Sequence, residues 1–211
     1  MTQLWNPLMI LETNNVDLFR CHFKFNKAIK GAGMSVRSSH SLTFVTITQC
    51  HFFQNEANLQ SGAIDSDNAN FFIRDSFFIE NNGNTCGTFR FSGTHVTSVN
   101  LTNVSISTPT KKLPQFAVVL ENNGPTLRLE NVIVDVQASQ GDIDIFTTSL
   151  VDGSSFQYNC PPNTIVSQKQ KALFSCRHCE KGKYSRKSSS VVFNSSGKFV
   201  NPIQCLSLIH I

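Results

Sequence analysis

The chain has 211 residues, a formal net charge of +4 and 40% hydrophobic residues, with 18 Phe against one Trp and two Tyr. That size allows one domain, or one with a small appendage, and the apolar content excludes a disordered chain. No run approaches the roughly 18 apolar residues of a membrane-spanning helix.

Taken from the start, residues 1–12 carry no basic stretch and no clean apolar core, so no signal peptide is read there. Ile10-Leu11-Glu12-Thr13-Asn14-Asn15 lines up with Val119-Leu120-Glu121-Asn122-Asn123-Gly124, which places Met1 part-way round a repeat. The expectation is an N-terminally truncated piece of a longer protein whose parent is membrane-anchored.

A phrase then recurs. Phe19-Arg20-Cys21-His22-Phe23-Lys24-Phe25-Asn26 returns as Thr48-Gln49-Cys50-His51-Phe52-Phe53-Gln54-Asn55 and as Arg74-Asp75-Ser76-Phe77-Phe78-Ile79-Glu80-Asn81. Fainter copies follow at Asn103-Val104-Ser105-Ile106 and Asn131-Val132-Ile133-Val134. Aligning Cys21, Cys50, Ser76, Val104 and Val132 gives steps of 29, 26, 28 and 28 residues. A fixed period in this range is the signature of stacked repeats. Each copy holds an apolar run (Met34-Ser35-Val36, Gly62-Ala63-Ile64, Phe89-Arg90-Phe91, Val118-Val119-Leu120), a polar turn, an alternating run such as Leu42 to Ile47, and then the phrase. Alternation marks strands with one buried face, and Asn, Asp, Gly and Ser mark turns. No segment has a sustained helical period.

Three short strands per turn predict an all-β fold: a parallel β-helix of about five coils over residues 1–152. In such a stack equivalent residues repeat about every 4.8 Å. Phe23, Phe52 and Phe78, continued by Ile106 and Val134, are expected to form an inward apolar ladder, with Cys21 and Cys50 in the neighbouring inward column. Asn26, Asn55 and Asn81 are expected to form an amide ladder at a bend. His22 and His51, one residue from the Cys column, fall on the opposite, outer face; plain surface is the expected role and a metal pair the alternative.

Phe52-Phe53-Gln54-Asn55 followed by Ser61-Gly62-Ala63-Ile64 resembles the F-x-x-N and G-G-A-I pair of polymorphic outer-membrane proteins. More broadly, residues 1–150 are similar to right-handed β-helix proteins of the pectin-lyase-like superfamily. The second glycine of the motif is Ala63 here, and the first copy has Gly31-Ala32-Gly33. The resemblance implies the fold; it also brings carbohydrate lyases and hydrolases into consideration.

Such enzymes need clustered carboxylates, or calcium-holding acids beside a basic residue. The richest acidic stretch, Asp65-Ser66-Asp67-Asn68-Ala69-Asn70, lacks the glycine and distal glutamate of a calcium loop and reads as a polar turn. No column of acids with Lys or Arg beside it in successive coils is evident. The expectation is therefore no catalytic residue, no resident metal and no cofactor.

Composition changes after Cys160-Pro161-Pro162. Residues 1–159 hold 10 Lys and Arg against 13 Asp and Glu, whereas residues 160–211 hold 8 against 1. An exposed Lys/Ser-rich loop is the first account of that excess, attraction to acidic glycans or membrane surfaces the second. Cys176-Arg177-His178-Cys179-Glu180-Lys181-Gly182-Lys183-Tyr184-Ser185 resembles the cysteine-rich modules of ephrin-receptor-like and TNF-receptor-like extracellular proteins over residues 153–205. A zinc site for Cys160, Cys176, Cys179 and Cys205 or His178 is disfavoured by the single C-x-x-C, and a thioredoxin-like pair by the lack of βαβ context. The resemblance implies disulfides Cys160–Cys176 and Cys179–Cys205 and an oxidising compartment; Cys21 and Cys50, buried in an apolar stack, are expected to stay reduced. Sequons at Asn100, Asn103 and Asn194 agree with an extracellular glycoprotein.

Residues 206–211, Leu-Ser-Leu-Ile-His-Ile, match the translation of a transposase mosaic-end sequencing adapter and are set apart as a scar. Taken together, the sequence points to an extracellular or cell-surface adhesion or recognition module that binds a glycan or an extracellular protein and not nucleic acid. A fragment of a carbohydrate-active enzyme and a structural spacer are the alternatives.

Overall fold

The structure is a computed structural model. It describes residues 8–11, 15–38, 43–84, 87–93, 98–108, 118–120, 126–136, 154–170, 173–181, 183–184, 190–193, 199–200 and 206–207. Among these there is no helix, and the strands stack as a parallel β-solenoid of about four turns, one fewer than the five coils expected.

Each turn is built from the alternating runs. The first sheet stacks Leu8–Leu11, Met34–Arg37, Ile64–Asp67, Phe89–Ser92 and Val118–Leu120 in that order. The second stacks Asn15–Phe19, Thr43–Thr48, Ala69–Arg74, Ser98–Thr102 and Thr126–Glu130. The third begins with His22–Lys24, His51–Phe53, Phe77–Ile79, Ser105–Ser107 and Val132–Asp135. A fourth, two-residue sheet (Lys27–Ala28, Glu56–Ala57, Asn82–Gly83) was not foreseen, because two residues are too few to show alternation.

Register is set by what faces inward. Phe23, Phe52, Phe78, Ile106 and Val134 pair in consecutive strands, with ring centroids 4.5 Å apart for Phe23–Phe52 and 4.7 Å for Phe52–Phe78. Val45, Phe71, Val99 and Leu127 line the second sheet, and Met34, Ile64 and Phe89 the first. A one-residue slip would turn every such column to solvent. The alignment of residues 10–15 contains that slip. Ile10 stacks through Val36, Ser66 and Phe91 onto Leu120 and not onto Val119, which leaves Ile10 buried and Leu11 exposed.

Corners are made by single residues in the left-handed region. Arg20, Gln49, Asp75, Asn103 and Asn131 occupy the bend between second and third sheets with φ of 50–55°. Phe25, Gln54 and Glu80 occupy the next bend at 49–57°. Most residue types resist this conformation, and the following residue shows how it is held. The Cys50 N–H donates to Ser76 Oγ at 3.1 Å, and the Cys21 N–H to Cys50 Sγ at 3.3 Å. The N–H groups of Asn26 and Asn55 donate to Asn55 and Asn81 Oδ1, each at 3.2 Å. Short polar side chains thus extend the hydrogen bonding where the chain turns, so the Cys column does more than fill space.

The amide ladder is bonded from rung to rung. Asn26 Nδ2 donates to Asn55 Oδ1 at 2.9 Å, and Asn55 Nδ2 to Asn81 Oδ1 at 2.8 Å and the Phe23 carbonyl at 2.9 Å. Asn55→Ala strands several of these groups away from water. We expect it to cost about 3 kcal/mol in chemical denaturation, since each buried orphan costs about 1–3 kcal/mol; a loss below about 0.5 kcal/mol would mean the ladder is not formed.

The third sheet continues past residue 152. Phe156–Asn159 pairs in parallel with Val132–Asp135 and so belongs to the solenoid. Ser190–Phe193 and then Phe199–Val200 add to it antiparallel, which ends the parallel stacking. Cys160 and Cys176 form a disulfide, and both lie in the core cluster with Phe156 and Tyr158. The cysteine-rich segment is therefore fused to the last rung. Leu206–Ser207, in the stretch set apart as a scar, pairs antiparallel with Lys183–Tyr184. Cys160 and Cys176 are 16 residues apart, a loop whose closure is worth about 3 kcal/mol. Reduction should lower Tm by about 6–12 °C for a chain of this size; an unchanged melting curve in reductant would show that the bridge is not part of the folded state.

Candidate functional site

Two places on the solenoid concentrate chemistry. The first is an ion cluster on the outer side of the first sheet. Alternation turns Ile64 and Ser66 inward and Asp65 and Asp67 outward. Asp65 is nevertheless fully buried. Arg37 Nη2 reaches its Oδ2 at 2.6 Å from the preceding rung, and Arg90 Nη1 its Oδ1 at 2.8 Å from the following rung. Arg37 also pairs with Asp67, Arg90 lies 3.7 Å from Asp67, and Ser92 Oγ donates to Asp67. The Gln60 amide, oriented to satisfy both its atoms, donates to the two Asp65 oxygens at 2.8 and 3.1 Å. Gly31, at φ +52°, lets the preceding loop pass over the cluster: a Cβ there would lie 2.3 Å from the Met34 carbonyl oxygen and 2.9 Å from Asp65 Cβ.

This overturns one expectation. Residues 65–70 are not one polar turn, because Ile64–Asp67 is a strand and only Asn68, at φ 58°, separates it from the next. Acids do not stack on acids; each has a basic residue in its own register column, Arg90 for Asp65 and Arg37 for Asp67. Chemically the group is balanced, two carboxylates against two guanidiniums. Asp65 is closed to substrate, and Arg37 and Asp67, with side chains 29% and 33% exposed, are more open to solvent than Arg90 at 11%.

The second place is the outer face of the third sheet. His22, His51, Phe77, Ser105 and Ile133 stand in one register column, and Lys24, Phe53, Ile79 and Ser107 in the next. The His22 and His51 rings stack at 4.9 Å, and His51 meets Phe77 at 5.0 Å. Phe25 packs edge-on against Phe53 at 5.4 Å. Phe25, Phe77 and Ile133 are exposed. The result is a face on which imidazole and apolar side chains cluster at its first three rungs. Burial, with smaller contributions from the charges of His22 and Lys24, pushes the His51 pKa below its ordinary value. As pH falls through the usual histidine range near 6.5, the unfolded chain therefore takes up this proton first and stability declines. His51→Gln should flatten that part of the stability–pH curve; an unaltered slope would rule the assignment out.

The remaining predicted residues are accounted for as follows. Asn100 lies half-buried in the strand Ser98–Thr102. Asn103 is exposed at a bend, where its Nδ2 donates to Asp75 Oδ1 at 2.9 Å and its Oδ1 accepts from Asn131 at 3.2 Å. Asn194 and Cys205 fall outside the described residues. Cys179 is disulfide-bonded, but the pairing expected with Cys205 lies outside them too. Cys21 and Cys50 are free thiols, and burial is the main cause raising the Cys50 pKa, which leaves it unreactive. Among the described residues no three His, Cys, Asp or Glu side chains converge on a metal position, and no helix is long and apolar enough to cross a membrane.

The His pair was visible as a repeated column. The Arg–Asp cluster was not, although Arg90 between two inward phenylalanines was a signal that something outside that strand receives a charge. The chain matches no protein-family model, no curated protein and no solved structure.

Proposed function

We propose that this chain is an extracellular or cell-surface recognition module, a β-solenoid of the pectin-lyase-like type carrying a receptor-like cysteine-rich segment. The observation that carries this reading is the outer face of the third sheet, where His22, His51 and Phe77 stand in one register column, Phe53 in the next and exposed Phe25 at the adjoining bend. Aromatic side chains held at a fixed spacing offer a large contact area that loses little entropy on binding. The Cys160–Cys176 disulfide supports an oxidising compartment. Asn103, exposed at a corner, is the better glycan acceptor of the two adjacent sequons, since Asn100 is half-buried in a strand.

The test is binding of the secreted chain to panels of acidic and neutral glycans and to extracellular proteins, alongside Phe77→Ser and Phe25→Ser. Saturable binding that both variants weaken is the expected result. Binding that both variants leave intact would remove this face from the account.

The partly open Arg37–Asp67 pair above Asp65 and Arg90 favours a second reading, a carbohydrate lyase or hydrolase. Ultraviolet-absorbing unsaturated products, or new reducing ends, from pectin or alginate that disappear in Asp67→Asn would establish it. Neither binding nor turnover would leave a spacer.

A further inference from the structure

We propose that His22 and His51 form a cross-rung chelating site for a divalent late first-row metal ion of the Ni, Cu or Zn class. The inference stands apart from the recognition reading and survives its failure.

Three observations carry it. The strands His22–Lys24 and His51–Phe53 are parallel and in register, so the backbone fixes the two imidazoles one rung apart. Their rings lie 4.9 Å apart at only 24° to one another on the solvent side, and Phe77, 5.0 Å from His51 on the far side, braces the pair from below. Finally, no ring nitrogen of either residue makes a hydrogen bond to a described residue, so no protein partner competes for the lone pairs. Metal–imidazole bonds are about 2.0–2.1 Å, so two ligating nitrogens must come within about 4 Å of each other. Tilting the two nearly parallel rings edge to edge achieves this from the observed spacing. The exposed His22 ring is free to move, while His51 is half-buried and held.

Donor chemistry selects the ion. Neutral imidazole suits Ni, Cu and Zn, and offers little to Ca or Mg, which require oxygen ligands. With no third protein donor converging among the described residues, water fills the other positions. The site is consequently exchangeable, and its open positions face the same solvent as the aromatic side chains. Joining two imidazoles on one scaffold makes the second bond intramolecular, which is worth about a hundredfold in affinity over a single histidine.

The experiment titrates the folded chain with Zn(II) and Ni(II), following heat and the imidazole ¹⁵N resonances, for the native sequence, His22→Gln, His51→Gln and His178→Gln. Circular dichroism accompanies each. The expected result is one equivalent bound, with ring-nitrogen shifts at both His22 and His51. The His22→Gln change, at an exposed position that the fold does not need, should weaken that step about a hundredfold. His178→Gln should leave it unchanged, and Ca(II) should give no signal. Affinity unaltered in His22→Gln, or shifts confined to one of the two rings, would overturn the proposal. If His51→Gln proves unstable, the His22 variant alone decides.

Discussion

Phe52→Asp should abolish folding, whereas His51→Asp, one residue away, should leave a folded chain. Phe52 has no exposed surface and lies between Phe23 and Phe78, which stack on its two faces at 4.5 and 4.7 Å. Removing the ring alone, as in Phe52→Ala, costs about 3–5 kcal/mol through lost transfer energy and a cavity that two flanking rungs cannot close. A carboxylate in the same place adds the cost of an unpaired buried charge, several kcal/mol more. That sum approaches the whole stability of an ordinary domain, about 5–15 kcal/mol. His51 points the other way, so an aspartate there stays hydrated and forfeits only ring contacts with His22 and Phe77. Far-ultraviolet circular dichroism with urea denaturation measures both. Equal tolerance, or equal loss, would contradict the inward and outward assignment.

Asp65→Asn should cost about 3–5 kcal/mol, the range for breaking one side of a buried ion pair. Asp65 is fully enclosed and faces guanidiniums of two different rungs, so the amide leaves Arg90, 11% exposed, without its closest counter-charge. Arg37→Met should cost less, because Arg37 is more open and is partly screened by solvent. Glu56→Gln is the control. Its partner Lys27 lies 3.0 Å away, but both are well exposed, and the expected change is within about 0.5 kcal/mol. Replacing Asp65, Arg37 and Arg90 together by apolar residues of similar volume should recover much of the loss, since desolvation of the ions offsets much of their attraction. A near-neutral Asp65→Asn would show that the three rungs are not brought together as described.

What the sequence disclosed, it disclosed through like residues stacking on like. Cys21 over Cys50, Phe23 over Phe52 over Phe78 and Asn26 over Asn55 over Asn81 recur as an identical phrase because a parallel stack gives each rung the same environment. The ion cluster followed the opposite logic. Ser35, Asp65 and Arg90 share one column, and Arg37, Asp67 and Ser92 another, so complementary charges replace similarity and a search for repeated residues passes over them. Corner residues were hidden for a related reason. Arg20, Gln49, Asp75 and Asn103 share a left-handed backbone but differ in side chain, and the bonds between them join unlike groups, Arg20 to Gln49 and Asn103 to Asp75. Ile10 was displaced by one position because the motif Leu-Glu-x-Asn, shared with residues 120–123, was stronger than the alternation that decides burial.

The stacking of residues 29 and 26 positions apart is the claim on which the rest depends. Nuclear Overhauser contacts between aromatic rings, in a sample labelled at Phe, test it directly. The solenoid predicts strong ring-to-ring contacts for Phe23–Phe52 and Phe52–Phe78, and contacts between the imidazoles of His22 and His51 on the opposite face. Aromatic contacts confined to residues of the same repeat, with none between Phe23 and Phe52, would describe a meander of local hairpins and would contradict the parallel stack.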